Sequence, residues 1–199
     1  MELIVISNPS PIADEAQLIN QLFAAGLKCF HLRKPESDVQ MVRDLLSEIE
    51  PGFHDRIALH QFHEMAGDLD IKRLHYTEAA RRTTPLKTLR NYAELGFTLS
   101  TSIHEVSALN GLDHFDYALY SPVFDSISKP SYKASIPQGF VWPKASHSTR
   151  VIALGGVQPA NLKDIKQMGF DGAAVLGSLW KEPQHALERF NQLKEQLPA

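Results

Sequence analysis

The sequence lacks the residues that several common classes of site require. It has one cysteine, Cys29, so an intramolecular disulfide and a cysteine-rich metal site are both excluded. The neighbours of Cys29 have the pattern of a buried strand, so we expect its thiol to fill core space rather than act as a nucleophile. No apolar run approaches the length of a membrane span, and the first residues lack the basic start and apolar stretch of a signal peptide. We therefore expect a cytoplasmic protein.

Neither sign of charge dominates the composition. The chain has 20 Lys and Arg against 23 Asp and Glu, a net charge of −3. Because the basic residues are dispersed, they do not form the footprint of a nucleic-acid-binding protein. The hydrophobic fraction of 43% is typical of a globular protein with one core, and no linker interrupts the chain. We expect residues 1–199 to form a single domain that acts on a small molecule, with no nucleic-acid or membrane partner.

Eight strand-like runs alternate with helical runs along the chain. The runs cover residues 3–7, 27–32, 56–60, 72–76, 97–102, 115–120, 151–157 and 171–178. Short helices are predicted over residues 64–69 and 105–112, and a longer last helix over residues 183–197. Regular alternation implies a parallel sheet, and eight units favour a closed barrel. The alternative, an open doubly wound sheet, would carry a G-x-G-x-x-G fingerprint that is absent here. The predicted fold is α/β, a compact (β/α)8 TIM barrel.

The last two strands both end in glycine, and their ends form what we call the glycine edge: Gly155, Gly156, Gly177 and Ser178. Glycine lets backbone N–H groups approach a ligand without a side chain in the way. Two parallel strands bring these positions to the same edge of the sheet, where a phosphate fits well. The alternative is a pair of tight turns without a ligand.

Polar residues also end the earlier strands. His31 and Arg33 alternate to the same side of the second strand, and Arg33 could hold a phosphate with two parallel hydrogen bonds. The alternative for Arg33 is a surface salt bridge, and the sequence favours this alternative more strongly for Lys34 than for Arg33. His60 and His75 end two further strands, but no His-x-x-x-His pair accompanies them. We therefore expect packing or substrate hydrogen bonding from these histidines rather than a metal site.

A long loop follows the sixth strand, and loops of this length in compact domains are often functional. It contains Ser126, Ser128 and Lys129, which supply two short hydroxyl donors and one point charge. This combination suits the oxygens of a polyphosphate. The alternative is ordinary loop polarity.

Together these segments resemble the family of thiamine phosphate synthase and the TenI-type thiazole tautomerase, over essentially the whole chain. The most specific segments are residues 121–129, 151–157 and 171–178. The resemblance implies a barrel enzyme of thiamine biosynthesis. The synthase joins an aminopyrimidine pyrophosphate to a thiazole phosphate with Mg²⁺, and pyrophosphate leaves before the thiazole nitrogen captures the pyrimidine cation.

The resemblance also implies roles for individual residues. Ser126, Ser128 and Lys129 match the family's Thr-x-Thr-Lys loop and would hold the pyrophosphate or the substrate junction. Ser102 matches a serine that meets the pyrophosphate. Arg33 matches the arginine of a Gln-x-Arg-x-Lys motif in which His31 takes the glutamine position. The glycine edge would hold the thiazole phosphate.

Several positions depart from the family pattern. The two aspartates that hold Mg²⁺ in the family fall at His60-Gln61 and at about Ala80, which leaves Glu78 as the nearby carboxylate. Mg²⁺ is thus implied as a cofactor without its family ligands. The histidine that shuttles protons in the tautomerase falls at Pro122. We expect synthase-like chemistry, with an isomerase or a non-catalytic thiazole phosphate or thiamine phosphate binding protein as alternatives. Because relatives often pair, we also expect a homodimer.

Overall fold

The computed structural model, which describes residues 1–125, 136–137, 139–142 and 148–198, contains a closed parallel barrel. Each strand pairs with the next along the chain, and β8 pairs with β1 to complete the ring. The predicted (β/α)8 barrel is therefore confirmed. Its strands are β1 (Glu2–Ile6), β2 (Cys29–Leu32), β3 (Ile57–Leu59), β4 (Arg73–Tyr76), β5 (Thr98–Ile103), β6 (Tyr117–Tyr120), β7 (Arg150–Leu154) and β8 (Gly172–Val175).

Helices surround the barrel. They are α1 (Glu15–Ala24), α2 (Val39–Ser47), α3 (Glu78–Thr83), α4 (Leu86–Glu94), α5 (Leu162–Gln167), α6 (Gly177–Trp180) and α7 (Ala186–Glu195). Asp38 caps α2 through a hydrogen bond from the Met41 N–H, 2.8 Å long. The longest helices of the described ranges have 10 residues, and none combines the length and the apolar character that a membrane crossing requires.

Two of the predicted short helices are single 3₁₀ turns instead, over His63–Met65 and Val106–Leu109. The first is followed by Gly67, a poor helix former, and the second by Gly111, whose φ of +85° no helix accommodates. The predicted last helix begins with a 3₁₀ turn over Pro183–His185, so its α-helical part starts at Ala186.

The barrel separates two apolar layers because successive side chains of a strand point to opposite faces. Leu3 and Val5 of β1 point outward into the large core beneath the helices. Ile4 and Ile6 point inward, where they share a small cluster with Cys29 and others inside the ring. Every second side chain of each strand thus points into the barrel. Several of these inward positions carry the polar groups of the candidate site.

Lys34 lies beside the barrel in a position that the sequence did not indicate. Its side chain is 2% exposed and its ammonium contacts both carboxylate oxygens of Glu15 at 2.6 Å. It also donates to the carbonyl oxygens of Asn8, at 2.8 Å, and Ser10, at 3.0 Å. The surface salt bridge considered for Lys34 is therefore wrong. The ion pair with Glu15 is buried. Together with the two carbonyl contacts, it holds the segment after β1 and the start of α1 against the end of β2.

Candidate active site at the mouth of the barrel

A cavity of about 880 Å³ opens at the carboxyl ends of the strands. It is lined by Arg33, His60, Glu78 and Ser102, and by all four residues of the glycine edge. Residues predicted from several different strand ends thus meet around one space. The predicted loop residues Ser126, Ser128 and Lys129 lie outside the described residues.

The glycine edge is shaped by the chain that packs on it. Gly155 and Gly156 have φ values of +95° and +65°. A Cβ atom on Gly156 would lie 2.5 Å from the Asp125 carbonyl oxygen, and one on Gly155 would lie 3.0 Å from Pro122 Cα. The Phe124 N–H donates to the Gly155 carbonyl oxygen at 3.1 Å. Close approach of the segment after β6 therefore requires both glycines, whether or not a ligand is bound.

The other half of the glycine edge begins α6. The Ser178 hydroxyl oxygen is buried, and it has no hydrogen-bond partner among the described residues. The Trp180 indole N–H donates to the Ile6 carbonyl oxygen at 2.6 Å and anchors this short helix to β1. A phosphate oxygen in the cavity would give the Ser178 hydroxyl the acceptor that it lacks.

Arg33 reaches the cavity from the end of β2. Its N–H donates to the Ser7 hydroxyl, and that hydroxyl in turn contacts the Arg33 carbonyl oxygen, both at 2.9 Å. These contacts fix the backbone, so the side chain lines the cavity. Burial lowers the pKa of His60 and of His75 well below the usual range, and the nearby positive charges, including Arg33, lower it further.

Glu78 is the one carboxylate among the described residues that line the cavity. It accepts a hydrogen bond from Arg82 at 2.6 Å, and it lies 4.0 Å from Arg81 and from His104 Nε2. Mg²⁺ prefers several oxygen ligands, including one or two carboxylates. A single carboxylate already paired with arginine does not fit such a site, so the described residues do not form a magnesium centre.

Three imidazoles meet beside the cavity, and we call them the histidine cluster: His31, His60 and His75. One ring nitrogen of each lies within 4.8 Å of the other two. His31 Nδ1 is 2.9 Å from His60 Nε2, and the His60 and His75 rings stack with centroids 4.0 Å apart. Burial lowers the pKa of His31 to about 3 and the pKa values of His60 and His75 well below their usual range. All three rings are therefore neutral near pH 7.

Hydroxyl groups surround the histidine cluster. The Tyr117 hydroxyl lies 2.6 Å from His31 Nε2. The Ser100 hydroxyl lies 2.9 Å from His75 Nδ1, and the Ser102 hydroxyl lies 3.0 Å from His75 Nε2. Because Ser102 also lines the cavity, it connects the buried rings to the ligand space.

Sequence reasoning missed this cluster and Tyr117, and it noted Ser100 only as a polar residue of the fifth strand. His31 and His75 lie on different strands and His60 directly follows a third, so only the register of the barrel reveals that they meet; His75, for example, pairs with Ser100. One signal was available. His31, His75, Ser100 and Tyr117 are polar residues at positions that alternation directs into the barrel.

Cys29 is fully buried inside the barrel, as expected of a core thiol. Burial raises its pKa to about 11, so at pH 8 the thiol is protonated and unreactive. We expect no alkylation of the native protein by iodoacetamide at pH 8, measured by intact mass, and complete single alkylation after denaturation. Rapid labelling of the folded protein would contradict this burial.

Each of the comparisons with known proteins finds members of one family. The family described as thiamine monophosphate synthase matches residues 3–179. A thiamine-phosphate synthase of Oceanobacillus iheyensis is 24% identical over 197 residues, covering 90% of each chain. The solved thiamine phosphate pyrophosphorylase of Bacteroides thetaiotaomicron has a TM-score of 0.73 at 26% identity, covering 98% of this chain and 97% of that one. A thiamine phosphate pyrophosphorylase of Pyrococcus furiosus shares the fold, with a TM-score of 0.72 at 14% identity over 98% of this chain and 94% of that one. Because the family match spans most of its length, this chain belongs to the thiamine monophosphate synthase family.

Proposed function

We propose that the protein is a transferase that joins an aminopyrimidine pyrophosphate to a thiazole phosphate and releases pyrophosphate. The observation that carries the proposal is one cavity in which the glycine edge and Arg33 are both present. The glycine edge and Arg33 can each bind an anionic group, and two phosphorylated substrates require two such binding groups. The volume of about 880 Å³ is within the range of small-molecule sites and leaves room for both. The family relationship supports thiamine biosynthesis as the pathway.

The roles follow from position and charge. The glycine edge binds the thiazole phosphate, and the Ser178 hydroxyl, which has no partner among the described residues, donates to one of its oxygens. Arg33 and Ser102 bind the pyrophosphate, together with Lys129, Ser126 and Ser128 of the loop. Negative charge grows on the pyrophosphate as its bond to the pyrimidine breaks, and fixed cations near that charge speed the step. Because the described cavity lacks a carboxylate set for Mg²⁺, Arg33 and Lys129 supply these cations.

The test of the reaction is direct. The purified protein is incubated with both substrates, with and without Mg²⁺, and thiamine phosphate and pyrophosphate are measured as products. We expect turnover that is lost in Lys129→Ala. Folded protein that forms neither product under both conditions would refute the transferase assignment.

Replacing Arg33 with glutamine tests the pyrophosphate role. We expect kcat/KM for the pyrimidine pyrophosphate to fall by about 10- to 100-fold, because hydrogen bonds to charged groups contribute about 1.5–3 kcal/mol. Steady-state kinetics on both substrates measures the change. Arg43→Gln is the matched control, since Arg43 is an exposed arginine on α2 that lies 4.0 Å from Asp68. Equal kinetics for the two variants would contradict this role of Arg33.

A second candidate is an isomerase that moves a proton on a thiazole carboxylate phosphate. It is favoured by the neutral histidine cluster, which offers acid–base groups next to a cavity where Mg²⁺ ligands are absent from the described residues. Deuterium exchange from the solvent into the thiazole ligand would reveal such a proton transfer. Exchange that is lost in His60→Gln, without any thiamine phosphate formation by the wild type, would select the isomerase.

A further inference from the structure

We propose that the histidine cluster binds one divalent transition-metal ion of the zinc class beside the cavity, through one ring nitrogen of each histidine. Three imidazoles with a fourth position left open form a known type of catalytic zinc site. The proposal does not depend on the reaction proposed above, because metal binding is measured without any substrate.

The spacing of the nitrogens suits a small ion. Ligands at about 2.0–2.1 Å from a tetrahedral zinc ion lie about 3.3 Å from one another. His31 Nδ1 and His60 Nε2 are 2.9 Å apart, and all three ligand nitrogens lie within 4.8 Å of one another. The hydrogen bond between these two nitrogens requires that one of the two rings carries its proton there. With an ion bound, that ring would carry its proton on its other nitrogen, and the two rings would spread slightly.

His60 is the ring that must move. It stacks on His75 with an angle of 26° between the planes, so the two lone pairs do not converge in this arrangement. His60 is only partly buried, and the one hydrogen bond that its ring makes to the described residues is to His31. Its buried Nδ1 has no hydrogen-bond partner among the described residues. Rotation of this ring therefore breaks little and directs a lone pair toward the other two.

The contacts of the other two rings resemble those of metal-bound imidazoles. A ligating histidine usually donates its second ring N–H to a neighbouring polar group, which fixes the tautomer and the ring orientation. His31 Nε2 lies 2.6 Å from the Tyr117 hydroxyl, and His75 Nδ1 lies 2.9 Å from the Ser100 hydroxyl. The remaining ring nitrogens are His31 Nδ1 and His75 Nε2, which now contact His60 Nε2 at 2.9 Å and the Ser102 hydroxyl at 3.0 Å. An ion would take the place of these two contacts.

The donor set selects the class of ion. Imidazole nitrogen suits Zn²⁺, Ni²⁺ and Cu²⁺, whereas Mg²⁺ and Ca²⁺ require oxygen ligands. The cluster contains no carboxylate, and burial lowers the pKa values of its rings, so their lone pairs are not protonated at neutral pH.

Arg33 couples this site to anions. Arg33 and His60 line the same cavity, so the positive charge of Arg33 opposes a cation bound at the cluster. An anion in the cavity would offset that repulsion. Phosphate or pyrophosphate should therefore tighten metal binding, and the metal should tighten anion binding by the same factor.

The test uses the full chain prepared without a polyhistidine tag and stripped with a chelator. Zinc uptake is measured by elemental analysis after dialysis, and Co²⁺ is titrated because its tetrahedral complexes absorb visible light. We expect about one equivalent per chain, tighter binding when inorganic phosphate is added, and no displacement of Co²⁺ by excess Mg²⁺.

Four variants locate the ion. His60→Gln and His75→Gln should lose the visible Co²⁺ bands, whereas His185→Gln, which changes an exposed histidine of the Pro183–His185 turn, should keep them. Tyr117→Phe keeps the buried ring and removes only the hydroxyl that contacts His31 Nε2. This variant should weaken zinc binding about 10- to 100-fold. Thermal melting of each metal-free variant shows whether it folds. Wild-type protein that binds zinc no more tightly than folded His60→Gln would overturn the proposal, and so would tight binding that Mg²⁺ abolishes.

Discussion

Replacement of Lys34 with methionine is expected to lower the free energy of unfolding by about 3–5 kcal/mol. The variant removes the positive charge but leaves Glu15 buried, with its side chain 4% exposed. An uncompensated buried carboxylate must either stay charged in an apolar site or take up a proton, and both are costly. Two backbone carbonyl oxygens, of Asn8 and Ser10, also lose their donor. Urea denaturation followed by circular dichroism measures the loss.

A double variant separates the charge from the packing. Burial raises the pKa of Glu15 and lowers the pKa of Lys34, which shows that loss of water opposes the charged form of each partner. Lys34→Met combined with Glu15→Leu removes both charges and should recover most of the stability. Arg43→Met breaks an exposed pair, 4.0 Å long, and should change stability by less than about 0.5 kcal/mol. A loss under about 1 kcal/mol for Lys34→Met alone would show that Glu15 is not buried with an unpaired charge.

Gly156→Ala is expected to destabilise the fold by about 2–5 kcal/mol and to weaken binding of phosphorylated ligands. The new methyl group would lie 2.5 Å from the Asp125 carbonyl oxygen and 2.7 Å from Phe124 Cβ, so the segment after β6 must move. Overpacking of this kind costs about 1–3 kcal/mol. The φ of +65° adds about 1–2 kcal/mol for any residue with a Cβ atom. Thermal unfolding and calorimetric titration with thiazole phosphate measure the two effects.

Two other glycines provide controls for the two causes. Gly96 has a φ of +80°, but no atom of the described residues lies within 4 Å of the position that a new methyl group would take, so Gly96→Ala tests backbone strain alone. Gly67 has neither feature, and Gly67→Ala should be close to neutral. If Gly156→Ala destabilises the protein no more than Gly96→Ala does, the close contact with the segment after β6 does not constrain the site.

The barrel and half of the site were predictable because both follow from local patterns. Apolar runs closed by glycine or polar residues specify strands, and eight of them in regular alternation with helices permit few arrangements. The glycine edge could be predicted as well, because parallel strands must end on the same side. For Gly155 and Gly156 the structure adds a second cause, the close approach of Pro122 and Asp125.

The histidine cluster and the buried ion pair were not predictable, since both depend on distances across the barrel. His31 and His75 lie in β2 and β4, and His60 directly follows β3. No spacing along the chain indicates that their ring nitrogens meet. Lys34 follows Arg33 directly, yet one side chain lines the cavity and the other is buried against Glu15. Alternation predicts that the two side chains point to opposite faces of the strand. It does not indicate that the Glu15 carboxylate lies on the face to which Lys34 points.

The pairing of β1 with β8 determines when the barrel can be completed during synthesis. Glu2 pairs with Gly172 and Val5 with Val175, so the first strand made needs nearly the last one as its neighbour. A ribosome adds about 5–20 residues per second, so one edge of β1 stays without a partner for many seconds. Unpaired strand edges promote association between chains. Nascent chains stalled before β8 should therefore be far more prone to aggregate, and to recruit chaperones, than chains stalled after it.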